Sequence, residues 1–239
     1  MHTSIPLNER LIFALDVDSA KAAQTWVERL EGRVNIFKVG LQLFLAAGFP
    51  IVEWIQDRGH KVMVDLKFFD IPETVGRAVG ELARRKVALA TVHGNEPILK
   101  AAIQARADTK ILAVTVLTSF DGSDLRAMGL TGSVDELVYV RAFKALELGC
   151  DGVVCSGREA ARLRAGLGSG LLIVTPGIRP GLNVEESGID DQKRVVSARE
   201  AIANGADHVV VGRPIATAVD PLSVVEAMQR EIAEASGGS

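Results

Sequence analysis

The sequence predicts an α/β protein folded as a closed (β/α)8 TIM barrel. Three observations predict it. Short apolar runs recur about eight times along 239 residues. Each is followed by a stretch with apolar residues at helical spacing, which gives parallel strands joined by helices. No linker or low-complexity stretch interrupts the alternation, and about eight repeats over this length close a barrel. The rival is a doubly wound open sheet. No Gly-x-Gly-x-x-Gly follows the first run, which weighs against the dinucleotide-binding form of that rival. The chain reads as one domain, 1–239, with Ala235–Ser239 as a disordered tail.

The runs are, in order, Leu11–Val17, Asn35–Gly40, Lys61–Lys67, Leu89–Gly94, Lys110–Leu117, Gly152–Ser156, Leu171–Gly177 and His208–Arg213. Their Val, Ile and Leu content and short length favour strand over helix. Between them lie stretches such as Ser19–Leu30, Thr74–Lys86, Val134–Leu148 and Ser197–Asn204. These place apolar residues on one helical face and Lys, Arg or Glu on the other. Two connections, Thr118–Gly132 and Arg179–Gln192, are longer than connectors need to be, and long loops at one barrel end carry function.

Composition narrows the function. Apolar residues make up 48% and charged residues 24%, enough for a full core. The net charge is −3 and no basic stripe with interleaved aromatics occurs, so no nucleic-acid partner is expected. The first ten residues lack a signal-type apolar segment, and no run is long enough to span a bilayer. The reading is a cytoplasmic protein without membrane contact. Cys150 and Cys155 stand near the two ends of the sixth run with no Cys-x-x-Cys spacing, and are read as buried free thiols without chemistry.

Side chains alternate across a strand. In the third run Met63, Asp65 and Lys67 share one face while Val62, Val64 and Leu66 share the other. The apolar set suits packing under helices, so Asp65 and Lys67 point into the barrel mouth. Asp16, Lys38, His93 and Arg213 stand near the ends of other runs, at the end where barrel active sites form. A Schiff-base lysine needs a depressed pKa. Asp65 and Asp70, as carboxylate neighbours, keep Lys67 an ammonium instead. A divalent metal on the aspartates would be repelled by the lysine between them, so no metal site is expected. A protonated lysine held by carboxylates suits proton donation, including donation to the carbanion left by loss of CO₂.

The last two runs read as an anion site. They end Thr175-Pro176-Gly177-Ile178-Arg179-Pro180 and Val211-Gly212-Arg213-Pro214-Ile215. Loops after the seventh and eighth barrel strands are the usual phosphate site. Gly212 permits close backbone approach, Arg213 can fork onto phosphate oxygens, and Pro214 suits the start of a short helix.

The string Asp65-Leu66-Lys67-Phe68-Phe69-Asp70-Ile71-Pro72-Glu73-Thr74-Val75 closely resembles the signature of the orotidine 5′-phosphate decarboxylase family. The resemblance covers nearly the whole chain. It extends through Phe13–Val17, Phe37–Gly40, Val114–Ser119, Thr175–Pro180, Asp191–Arg194 and Val210–Ile215, in the family's order. It implies decarboxylation of orotidine 5′-monophosphate to UMP, without metal or organic cofactor, by homodimers with active sites shared between subunits. It implies catalytic roles for Lys67, Asp65, Asp70 and Lys38. Lys67 would protonate C6, and Asp65 would lie beside the scissile carboxylate. Asp16 and Lys38 would contact the ribose. Asp70, Ile71 and Thr74 would reach the neighbouring subunit's site. Thr118 and Ser119 would lie near ribose and pyrimidine, and Arg179, Gln192, Gly212 and Arg213 would grip the phosphate. His93 is followed by Gly94-Asn95 where the family often has Gly-Gly, and reads as a histidine of the core or behind the site. The segment from Arg179 to Gln192 is longer than in many bacterial members, and a longer lid would change closing kinetics. Two other functions fit the same barrel: an Mg²⁺-dependent decarboxylase of a phosphorylated keto sugar acid, and a non-catalytic nucleotide-binding barrel. The Ile71-Pro72-Glu73-Thr74 continuation resembles the orotidine branch.

Overall fold

The computed structural model describes residues 5–179 and 194–237. The elements follow in order: α1 (Leu7–Arg10), β1 (Leu11–Ala14), α2 (Ala20–Arg29), β2 (Ile36–Gly40), α3 (Leu41–Asp57), β3 (Lys61–Phe68), α4 (Pro72–Arg84), β4 (Leu89–His93) and α5 (Glu96–Ala105). Then come β5 (Lys110–Val114), α6 (Gly122–Ala127), α7 (Val134–Glu147), β6 (Gly152–Val154), α8 (Gly157–Leu167), β7 (Leu172–Thr175), β8 (Ile178–Arg179) and β9 (Val196–Ser197). The chain ends in α9 (Ala198–Ala203), β10 (His208–Val211), α10 (Arg213–Ala216) and α11 (Pro221–Ser236).

Eight parallel strands close in the order β1-β10-β7-β6-β5-β4-β3-β2. Leu11 lies opposite Val209 and Ile12 opposite Ile36, so the first strand seals the barrel between its last and second strands. β8 and β9 form a separate parallel pair. Alternation divides the core into two layers. Ile12, Ile36, Met63, Leu89, Leu112, Val174 and Val210 fill the barrel interior. Phe13, Phe37, Val62, Val64, Val92 and Ile173 pack outward under the helices. Four helix starts are fixed by serine caps: Ser19 Oγ accepts from the Ala22 amide, Ser197 Oγ accepts from the Glu200 amide, and Ser133 and Ser156 complete capping boxes with Glu136 and Glu159.

Three sequence expectations need correction. The Thr118–Gly132 connection contains α6, started by an Asp121–Asp124 capping box. Asp at both box positions was the available signal. Ala235 and Ser236 are not disordered: α11 continues through them because Ile232 is buried and Ala235 packs on the core. The strands also stop short of several apolar runs, β5 at Val114 and β1 at Ala14. Val116 and Leu15 are buried past the strand ends, the Leu15 amide still donating to the Lys38 carbonyl at 3.0 Å, so apolarity continues after the strands stop.

Candidate active site

A cavity of about 320 Å³ opens at the C-terminal ends of the barrel strands. Asp16, Lys38, Asp65, Lys67, Thr118, Ser119, Arg179, Gly212 and Arg213 all line it. Asp16 follows β1, Lys38 projects from β2, and Asp65 and Lys67 project from β3. The charges alternate in a ladder. Lys38 Nζ lies 2.9 Å from Asp16 Oδ1 and 3.7 Å from Asp65 Oδ2, and Lys67 Nζ lies 2.9 Å from Asp65 Oδ1. Gly40 leaves room for it: a Cβ there would stand 3.1 Å from Lys38 Nζ.

Asp65 is the hinge of the ladder. Burial alone would raise its carboxyl pKa. The Lys38 and Lys67 charges, with hydrogen bonds from Lys67 and Thr91, outweigh burial and hold it below the usual aspartate range. Thr91 Oγ donates to Asp65 Oδ1 at 2.9 Å and accepts from the Lys67 amide at 3.0 Å. Sequence reading missed Thr91. The signal was present, because Thr91 alternates with outward-facing Ala90 and Val92 and so faces inward on β4.

The third strand is less regular than its apolar alternation predicts. Val64 pairs with Ala90 and Phe68 with Val92, so three residues of β3 stand opposite the single Thr91. Lys67 absorbs this bulge at φ +49°, a left-handed conformation costly for a side-chain-bearing residue. No glycine or proline lies between Val64 and Phe68 to mark the bulge.

Asp70 does not help to hold Lys67 within this chain, contrary to the sequence expectation. Its Oδ1 accepts from the Ile71 amide at 2.6 Å. Asp70, Ile71 and Thr74 are exposed, and none lines the cavity. Phe69 and Ile71 flank Asp70 at 65% and 66% exposure. Gln192 lies outside the described residues, as does most of the long Arg179–Gln192 segment.

At the opposite side of the mouth Arg179 is buried and its Nη1 donates to the Ile178 carbonyl at 2.8 Å. Arg213 is exposed and begins α10, with Pro214 in its first turn. Gly212 comes close to β1: a Cβ there would meet Ala14 Cβ and Asp16 Oδ2 at 3.2 Å each. The mouth therefore offers arginine and a tight backbone beside the Asp16 end of the charge ladder.

His93 lies behind this cavity. Its ring packs 4.8 Å from Phe69, and burial, aided by Arg141 and Lys67, lowers its pKa. It lines a second cavity of about 250 Å³ with Phe120, Met128 and Arg141. Cys150 and Cys155 are buried free thiols. Burial pushes the Cys150 thiol up to about 11 and raises Cys155 further, so neither supplies a thiolate. No group of three or more His, Cys, Asp or Glu arranged to hold a metal occurs among the described residues. Among the described residues the cavity's carboxylates, Asp16 and Asp65, already face ammonium groups, so a divalent cation between them would have to displace Lys38.

The family model for the orotidine 5′-phosphate decarboxylase / HUMPS family matches residues 9–228. The chain is 52% identical over 229 residues to orotidine 5′-phosphate decarboxylase of Methylococcus capsulatus (strain Bath), covering 95% of this chain and 93% of that protein. It is 48% identical over 230 residues to the protein of the same name from Rhodopseudomonas palustris (strain BisB5), covering 95% and 96%. Among solved structures, orotidine 5′-phosphate decarboxylase from Lactobacillus acidophilus superposes with a TM-score of 0.82 at 33% identity, covering 94% of this chain and 99% of that one.

Proposed function

The chain belongs to the orotidine 5′-phosphate decarboxylase / HUMPS family, and we propose that it converts orotidine 5′-monophosphate to UMP and CO₂ in de novo pyrimidine biosynthesis, with Lys67 as the proton donor. The observation that carries the reading of the site is the Asp16–Lys38–Asp65–Lys67 ladder in the barrel mouth. The bond from C6 to the carboxyl carbon breaks and CO₂ leaves. The electron pair stays on C6 and takes a proton from the Lys67 ammonium. Solvent then restores that proton.

The ladder supplies this chemistry in two ways. Asp65 stays ionised beside the substrate carboxylate, and like charges in a dry site repel. The larger effect is electrostatic stabilisation: a fixed ammonium next to C6 offsets negative charge as it develops, at no cost in solvent reorganisation. Arg179, Gly212, Arg213 and Gln192 take the phosphate, far from the breaking bond. Binding energy gathered there supports ordering at the reacting end. Asp16 and Lys38 take the ribose hydroxyls, and Thr118 and Ser119 border ribose and base.

The reaction needs no metal and no organic cofactor. The protein works as a cytoplasmic homodimer in which Asp70, Ile71 and Thr74 serve the partner's cavity. Their exposure, and a cavity lining in their own chain that does not include them, support that assignment. No described helix is long and apolar enough to cross a membrane. The deciding experiment follows the ultraviolet absorbance of orotidine 5′-monophosphate after mixing with enzyme in EDTA-containing buffer. Full turnover is expected. Turnover only on adding Mg²⁺, or none at all, would overturn the reading.

A further inference from the structure

Arg194 is the first described residue after the 180–193 segment, and it lies outside the charge ladder. Its side chain is only 12% exposed. Nη2 donates to the Leu117 carbonyl at 3.0 Å, Nε donates to the Thr118 carbonyl at 3.5 Å, and Nη1 pairs with Glu159. Glu159 is 3% exposed at the side chain and its Oε2 accepts from the Ser156 amide at 2.7 Å, which fixes it at the start of α8. Ser156 Oγ in turn donates to the Arg194 carbonyl at 3.4 Å. Two residues on, the Val196 amide donates to the carbonyl of Gly177, a residue that lines the cavity.

The guanidinium thus ties the loop after β5 to the first turn of α8, and the backbone of Arg194 and Val196 joins both to the Ser156 cap and to Gly177. Leu117, Thr118 and Ser119 form one wall of the cavity. That wall is irregular backbone, and the Leu117 and Thr118 carbonyls lie beyond the last residue of β5. We propose that Arg194 is a positioning residue for the reaction, clamping the Leu117–Ser119 wall at the distance the substrate requires. The planar fork suits the task because several N–H groups point in fixed directions at once. Lysine offers a point charge on a flexible stem and cannot hold both carbonyls and the carboxylate together. A buried ion pair is weak evidence for stability, and what this one supplies is geometry.

The clamp rests on the proposed contact of that wall with substrate, so the test reads the two separately. Arg194→Lys and Arg194→Gln are compared with Arg164→Lys. Arg164 is also partly buried, pairs with Asp207, and donates to the Gly205 and Leu171 carbonyls, outside the cavity lining. Amide hydrogen exchange of residues 117–121 is measured without ligand, and steady-state decarboxylation is measured at a temperature where each variant is folded. In both Arg194 variants the 117–121 amides are expected to exchange faster while those of β4 and β10 do not. The kcat/KM falls roughly 10- to 100-fold, carried mainly by KM, since a displaced wall loses contacts made alike to bound substrate and transition state. Arg164→Lys is expected to lower Tm with KM within twofold of wild type. Unchanged exchange in the loop would overturn the clamp. Faster exchange with unchanged kinetics would overturn its role in positioning. An equal rise in KM for Arg164→Lys would reduce Arg194 to a structural residue.

Discussion

Lys67 carries the most consequence per atom. Its side chain is about one-third exposed, so it is not needed to fill the core. In the proposed mechanism, Lys67→Ala removes both the charge that stabilises the C6 carbanion and the proton that quenches it. General acid catalysis contributes typically about 10²–10⁴-fold and a fixed electrostatic donor a similar factor. Turnover is therefore expected to fall by at least about 10³-fold, with the circular dichroism spectrum of a folded barrel retained. A variant of near-wild-type kcat would remove Lys67 from the mechanism. Asp65 makes a second prediction, in pH. Its folded pKa lies below the ordinary 3.8, so the unfolded chain takes up its proton first as pH falls. The stability this supplies is fully present above the ordinary value and is lost as pH drops through the lowered one. Between pH 5 and pH 3, wild type should lose more unfolding free energy than Asp65→Asn in urea titrations. Parallel losses would mean that Asp65 is not held ionised by its lysines.

At the level of elements, β3 and β4 act as one device. Thr91 bridges the Lys67 amide and the Asp65 carboxylate, and so fixes the bulge from which Lys67 projects. Thr91→Val keeps the shape and deletes both hydrogen bonds, leaving a part-buried amide and a buried carboxylate short of partners. That costs about 1–3 kcal/mol in unfolding free energy, and kcat falls because Lys67 loses its seat. A change in stability with kcat untouched would show that the bulge is held by something else. This element also marks where the sequence stops being legible. The eight barrel strands are readable because apolar runs of the right length have few other solutions. The inward placement of Asp65 follows from its alternation with Val64 and Leu66. The bulge does not follow, because Asp65-Leu66-Lys67 contains no residue that favours a positive φ. The tertiary hydrogen bond from β4 selects it. The ends of β1 and β5 are blurred for a different reason: Leu15 and Val116 are buried past the strand ends, and burial alone does not report where a strand stops.

At the scale of the whole molecule, the site divides into what one chain assembles and what it presents outward. Residues from β1 through α10 converge on one cavity because barrel closure brings the ends of all eight strands together. That convergence was legible, since strand-end charges in successive repeats have one common destination. The placement of Asp70 was not, because the three-residue spacing from Lys67 looks the same whether the chain turns inward or away. In the fold it turns away, and Phe69 and Ile71 stand exposed on either side of it. Two large apolar side chains around a carboxylate at the rim suit a surface covered by a second copy. In a two-fold dimer each cavity would then combine Lys67 of one subunit with Asp70 of the other. Lys67→Ala and Asp70→Asn are each expected to be nearly inactive as homodimers. Unfolded together and refolded at equal concentrations, about half of the dimers are mixed. Each mixed dimer holds one cavity with both native residues and one with neither. Activity should therefore recover to about one quarter of wild type, and sedimentation should report dimers throughout. Recovery no greater than the sum of the parents would place Asp70 outside the partner's cavity, because random pairing of subunits leaves no other route to a complete site.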